Sequence, residues 1–163
     1  MKQFSYRIGF GEDIHRLVEG RPLILSGVRI PFEKGLLGHS DADVVYHAVS
    51  DAILGSFALG DIGKHFPDNE ERTAGMDSSE IVKYCYALIQ KQGYEIANID
   101  IAISCERPKL APHIMQMRQN LAGLLNIALE QVSIKAMTNE GLDAVGEGKA
   151  IRATCVVLVK TEV

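Results

Sequence analysis

Between Ser40 and Leu59 the chain contains no lysine or arginine, and Val44, Val45, Ala48, Val49, Ala52, Ile53, Leu54 and Phe57 make most of the segment apolar. A helix that is apolar around most of its circumference has to be buried, so it can form only inside a fold whose other elements cover it. Ser40 followed by Asp43 resembles a capping box with Asp in place of Glu, and Gly60 supplies a stop, which predicts a helix over 40–59. Ser40, Asp43, His47 and Asp51 are three, four and four residues apart and share one stripe of that helix. A solvated stripe would usually carry basic residues, and burying a histidine between acids without a partner is costly. The stripe is therefore expected to line a cleft.

What surrounds the helix follows from periodicity. Residues 4–15 read as a glycine-punctuated strand, and residues 22–31 as two short strands around Ser26 and Gly27. Residues 61–77 are irregular and polar, long enough to read as a functional or mobile loop. Asp77-Ser78-Ser79 starts a second helix that Gly93 ends. Residues 94–105 form a strand with Ile99, Ile101 and Ile103 on one face, residues 108–125 a third helix, and residues 133–139 and 151–160 two more strands. Grouped strands with interspersed helices predict an α+β fold, helices on one face of a mixed sheet. The 163 residues suit one domain spanning 1–163.

Net charge is -4 and no Lys/Arg run stands out, which disfavours nucleic-acid binding. No apolar run reaches the roughly 18 residues of a membrane span. Three cysteines without a C-x-x-C spacing fit a reducing compartment rather than a disulfide framework. The N-terminus runs straight into a strand-like stretch with no leader pattern. A bacterial cytoplasmic protein is expected, and a plastid protein that has lost its transit peptide would look the same.

Asp13 and His15 lie two apart in the first strand, so both side chains project from the same face. Alone, such a pair at a strand end often meets only solvent. With His47 it makes a mixed N/O trio of the kind that catalytic zinc sites use, with an open position for substrate. Manganese or cobalt would suit the same donors. Asp51 or Asp43 could orient His47 from behind. Gly60-Asp61-Ile62-Gly63 by itself reads as a helix stop with a turn aspartate.

Several segments together resemble one family. Asp13-Ile14-His15, Gly27-Val-Arg-Ile-Pro31, Glu33-Lys-Gly-Leu-Leu37 with His39-Ser40-Asp41, the helix with His47 and Asp51, Gly60-Asp61-Ile62-Gly63 and Phe66-Pro67-Asp68 are similar to the 2-C-methyl-D-erythritol 2,4-cyclodiphosphate synthases. The likeness continues through Pro108-Lys109, Pro112-His113-Ile114, Lys135-Ala136 and Thr138 with Glu140.

The resemblance implies a four-stranded sheet with helices on one side and a homotrimer with active sites between subunits. It implies zinc, or another divalent transition metal, on Asp13, His15 and His47. Magnesium or manganese would sit on Glu140 between the α- and β-phosphates. His39, Ser40 and Thr138 would stand near the reacting phosphate, His39 and Thr138 stabilising its charge. Asp61, Ile62 and Gly63 would hold the methylerythritol part, and Ile14, Phe66, Pro67, Asp68, Asn69 and Glu70 are also implied to bind substrate. Cys105, Glu106, Arg107, Pro108, Lys109, Leu110 and Ala111 would receive the cytidine end, with Met137 near the nucleotide, and Asn139 is also implied to bind substrate.

The implied reaction converts 4-diphosphocytidyl-2-C-methyl-D-erythritol 2-phosphate to the 2,4-cyclodiphosphate with release of CMP. The likeness breaks after Glu140: where the family reads much like Gly-Phe-x-Gly-Arg-x-Glu-Gly, this chain has Ala144 at the aromatic position and Glu147 at the arginine position. That departure keeps a second reading open, a non-catalytic metal-dependent protein that binds cytidine nucleotides.

Overall fold

The N-terminal segment forms one long strand, β1 (Phe4–Glu19), extending beyond the expected 4–15. The computed structural model describes residues 2–163. β1 pairs antiparallel with β7 (Ala150–Glu162), placing Asp13 opposite Ala153 and His15 opposite Ile151. β7 pairs antiparallel with β5 (Glu95–Ser104), and β5 parallel with β6 (Val132–Met137).

The sheet has five strands, in the order β4-β1-β7-β5-β6, rather than the four implied by resemblance. The additional strand, β4 (Lys34–Leu36), pairs with the far end of β1, Leu17 opposite Leu36. Three residues are too few to show a period of two, so nothing in the sequence marks it. β2 (Leu23–Leu25) and β3 (Val28–Ile30) form a separate hairpin. Its turn residues Ser26 and Gly27 both have positive φ, the geometry of a tight I′ turn.

Odd-numbered residues of β1 and β7, and of β5 from Ile99 on, face the helices. Ile99, Ile101, Ile103, Ile151, Ala153, Cys155, Val157 and Val159 are all buried there. The helices lie on one face of the mixed sheet, as expected. On the other face Tyr6, Ile8 and Phe10 remain 56%, 69% and 61% exposed, and Val156 opposite Phe10 is 44% exposed. A contiguous apolar patch of this kind calls for a partner surface.

The apolar helix is α1 (Val44–Gly55), shorter at both ends than the expected 40–59. Its N-cap is Asp43, not Ser40. The Asp43 carboxylate accepts from Tyr46 N at 3.1 Å and also from Ser26 N and Gly27 N at 2.9 and 2.8 Å. It is fully buried because it ties the hairpin turn to the helix, and burial pushes its pKa up to about 6 against those N–H bonds. The predicted stripe therefore divides. Asp43 faces the hairpin, His47 a cleft, and Asp51 the N–H of Ile62 at 2.8 Å.

Residues 61–77 are built rather than structureless. They contain α2 (Ile62–His65) and a 3-10 turn at Glu71–Thr73. α3 (Ser78–Gln90) is capped by Asp77, which accepts from Ser79 N. α4 (Ile114–Leu125) follows a 3-10 turn at Ala111–His113 and so begins later than Pro108 suggests. α5 (Asp143–Gly146) is a single turn before β7.

Gly9 and Gly11 let α1 lie directly on β1. A Cβ at Gly9 would stand 1.7 Å from Ala52 O, and one at Gly11 2.0 Å from Ala48 O. Both contacts are with helix backbone, which cannot rotate aside. The close approach brings His47, next to Ala48, within reach of Asp13, two residues beyond Gly11. Gly11→Ala should push the helix off the strand and destabilise the fold by about 3 kcal/mol or more. The midpoint of guanidinium denaturation reads this, and an unchanged midpoint would show that the contact is soft.

Candidate metal centre and substrate cleft

Asp13 and His15 project from β1, and His47 reaches them from α1. His15 Nε2 and His47 Nδ1 lie 2.8 and 2.9 Å from Asp13 Oδ2, and 3.3 Å from each other. His15 Nδ1 is 2.6 Å from Leu37 O, a pure acceptor, so Nδ1 carries the hydrogen and Nε2 presents its lone pair. His47 turns its other nitrogen, Nε2, to Ser78 Oγ at 2.9 Å.

Three ligand atoms thus converge with their electron pairs aimed at one another. Only a cation or a proton relieves that. Burial works against charge here, yet a proton on the facing nitrogen of His15 or His47 would be donated to Asp13, and that attraction holds its carboxyl down at about 2. Burial likewise opposes protonation of His15, and Asp13 outweighs it, raising the imidazole above its ordinary value. A divalent cation would satisfy all three donors at once. Zinc bonds of roughly 2.0–2.1 Å at tetrahedral angles place donors about 3.3 Å apart, a few tenths from what is observed. Asp13, His15 and His47 are the one group of this kind among the described residues.

The trio opens on a cleft of about 610 Å³. Its walls include His39, Ser40, Ile62, Gly63, Phe66, Pro67, Asp68 and Asn69, all expected there. His39 Nε2 donates to Glu70 O at 3.0 Å, tying the loop to the cleft rim. Asp61 caps α2 by accepting from Lys64 N at 3.0 Å, which fits its plain turn reading. Ile14 points to the opposite face of the sheet and meets the site only through its N–H on Asp13 Oδ1.

A second, smaller pocket of about 240 Å³ is lined by Cys105, Glu106, Pro108, Lys109, Leu110, Ala111, Met137 and Thr138. Arg107 stands apart, its guanidinium near Phe32 and 3.9 Å from Glu33. Glu106 accepts from Asn139 N at 2.8 Å, holding the loop after β6. Glu140 sits in that loop with φ of 53° and its N–H toward Thr138 Oγ1. The two pockets share no lining residue. The register Asp13–Ala153–Ile103–Ala136 places three inter-strand steps between them, about 14 Å.

Two expectations need correction. Asp51 makes no hydrogen bond to His47, because α2 takes its carboxylate through Ile62 N. Asp43 serves the hairpin. The group behind His47 is Ser78, 31 residues along the chain, whose only sequence signal was its place in the Asp77-Ser78-Ser79 helix start.

Fold and site define a mixed-sheet α+β protein with a three-donor metal cradle opening on a substrate-sized cleft, the arrangement of a catalytic rather than a closed structural centre. The sequence model of the YgbB family matches residues 6–160, and the chain belongs to that family. A protein of Geobacillus sp. (strain WCH70) named 2-C-methyl-D-erythritol 2,4-cyclodiphosphate synthase is 56% identical over 155 residues, covering 95% of this chain and 98% of that protein. One of the same name from Carboxydothermus hydrogenoformans is 56% identical over 154 residues, 94% of each chain. A solved structure of 2C-methyl-D-erythritol-2,4-cyclodiphosphate synthase in a CDP-bound form matches with a TM-score of 0.87 and 38% identity, over 94% of this chain and 99% of that one.

Proposed function

We propose that this chain converts 4-diphosphocytidyl-2-C-methyl-D-erythritol 2-phosphate to 2-C-methyl-D-erythritol 2,4-cyclodiphosphate, releasing CMP, in the non-mevalonate route to isoprenoids. The observation that carries the reading is the convergence of three ligand atoms, from Asp13, His15 and His47, at the mouth of a cleft, in a chain 56% identical to proteins named for this reaction.

An oxygen of the 2-phosphate attacks the β-phosphorus. The bond from that phosphorus to the α–β bridging oxygen breaks, and CMP leaves with the electron pair. The attacking phosphate is already ionised, so no general base is required. Alignment and charge neutralisation carry the catalysis. Asp13, His15 and His47 would hold zinc or another divalent transition metal, which supplies Lewis-acid polarisation at the β-phosphate. Glu140, exposed and tied to Thr138 through its backbone N–H, would hold magnesium or manganese at the substrate diphosphate. His39 and Thr138 would donate hydrogen bonds to the oxygens of the transferring phosphoryl group, with Ser40 beside His39 in the cleft. Ile62 and Gly63 line the methylerythritol subsite with Phe66 to Asn69, and Asp61 offers a free carboxylate oxygen to the diol. The smaller pocket receives cytidine.

The active assembly is a homotrimer, with the cleft of one subunit facing the nucleotide pocket of its neighbour. Supporting this are the bare apolar sheet face and the separation of the two pockets within one chain. Three free, buried cysteines support a reducing cytoplasmic setting. Among the described residues no helix is long and apolar enough to cross a membrane.

Incubation with the substrate, zinc and magnesium should give CMP and a cyclic diphosphate in equal amounts, read by phosphorus NMR. Stoichiometric binding with the substrate left intact would establish the non-catalytic nucleotide-binding reading instead.

A further inference from the structure

We infer that Ser78, held by Asp41, is the positioning residue that fixes which nitrogen of His47 faces the metal. The inference rests on the metal reading of Asp13, His15 and His47. It follows from accounting for each hydrogen around a fully buried hydroxyl.

Ser78 Oγ has three polar neighbours: Asp41 Oδ1, His47 Nε2 at 2.9 Å and Ser40 Oγ at 3.4 Å. The Asp41 carboxylate can only accept. It takes the Ser78 hydroxyl hydrogen on Oδ1 and the Ser78 backbone N–H on Oδ2 at 3.0 Å. The N–H of Asp43 also reaches Oδ1, at 3.0 Å, fixing the carboxylate to the start of α1. The one hydrogen on Ser78 Oγ is therefore spent. At 2.9 Å from His47 it can only accept, so Nε2 must carry the ring hydrogen. Nδ1 is left with its lone pair directed at Asp13 and His15. Ser40 Oγ lies farther from His47, at 3.2 Å, and already accepts from Ala42 N.

The relay Asp41–Ser78–His47 thus sets tautomer and ring orientation together, as outer partners of metal-bound histidines commonly do. It also links the cradle to the first residue of α3, an element that contributes no ligand. Nothing about residue 78 stands out in the sequence beyond a helix start, where the cap is Asp77.

The test compares wild type with Ser78→Ala, Ser78→Thr and Asp41→Asn. Zinc affinity is measured by competition with a chromogenic chelator, and exchange of the His47 Nε2 hydrogen by nitrogen-15 NMR of the zinc-loaded protein. Ser78→Ala should weaken zinc about 10- to 100-fold and make the Nε2 hydrogen exchange rapidly. Ser78→Thr, which keeps the hydroxyl, should restore most of both, and Asp41→Asn should fall between. Denaturation midpoints of the metal-free proteins separate this from a general weakening of α3. A purely structural role would lower the midpoint without a threonine rescue of zinc binding or of exchange, and that pattern overturns the inference. So does a Ser78→Ala protein that binds zinc as wild type does. If wild type itself binds no zinc, the metal reading falls, and the inference with it.

Discussion

His47→Ala is expected to remove metal binding and turnover while leaving the protein folded. His47 supplies one of three donors and is the one presented by α1. Without it, Asp13 and His15 remain on β1 as a two-donor pair, too few for a catalytic zinc site. Loss of the Lewis acid removes several kcal/mol of transition-state stabilisation, so turnover should fall by about 1,000-fold or more. The fold should survive, because Gly9 and Gly11 still seat the helix on the strand and Asp43 still caps it. The change even relieves the clash of lone pairs in metal-free protein.

A second readout isolates the cause. Zinc at about 1,000 times its dissociation constant stabilises a folded protein by about 4 kcal/mol, which for a chain of this size raises Tm by about 10 °C. Wild type stripped with a chelator should regain that shift on adding zinc, and His47→Ala should show none. A full zinc-dependent shift in the variant would mean that the metal sits elsewhere.

How much of this was legible in the sequence depends on the distance over which each feature is decided. Asp13 and His15 share a face because strands have a period of two, and the need to bury α1 is written in its composition. Both are local rules, and both lead to the cleft. The start of α1 is different. Ser40-x-x-Asp43 looks like a capping box, but Asp43 is claimed by the N–H groups of Ser26 and Gly27, 17 and 16 residues earlier, and caps the helix itself. That choice is made by a tertiary contact with no periodic signature. Helical spacing puts Asp51 one turn beyond His47, where it could orient the imidazole, yet the loop beyond the helix folds back and takes its carboxylate. Ser78 and β4 escaped for the same reason: one is a single hydroxyl brought in from 31 residues away, the other a three-residue strand recognisable only by its pairing.

The proposed trimer can be tested by sharing rather than by mass alone. If each active site takes its metal half from one subunit and its nucleotide half from the next, two different dead proteins should repair one another. His47→Ala retains an intact nucleotide pocket. Ala111→Trp would fill the 240 Å³ pocket while leaving the metal cradle untouched. Each homotrimer should be inactive. In any mixed ring of three, one junction joins a good metal half to a good nucleotide half. Random co-assembly from equal amounts makes about three-quarters of the rings mixed, each with one of three sites working, so about one-quarter of wild-type activity should return.

The control is Ile8→Glu, which places a charge in the apolar sheet face where Ile8 is 69% exposed in the single chain. It should leave the protomer folded, because no core contact is lost, and should abolish both assembly and the recovered activity. Without recovery in rings shown by two affinity tags to be mixed, each site would have to lie within one chain. The 14 Å between its two pockets would then have to be bridged by movement of the loops after β5 and β6.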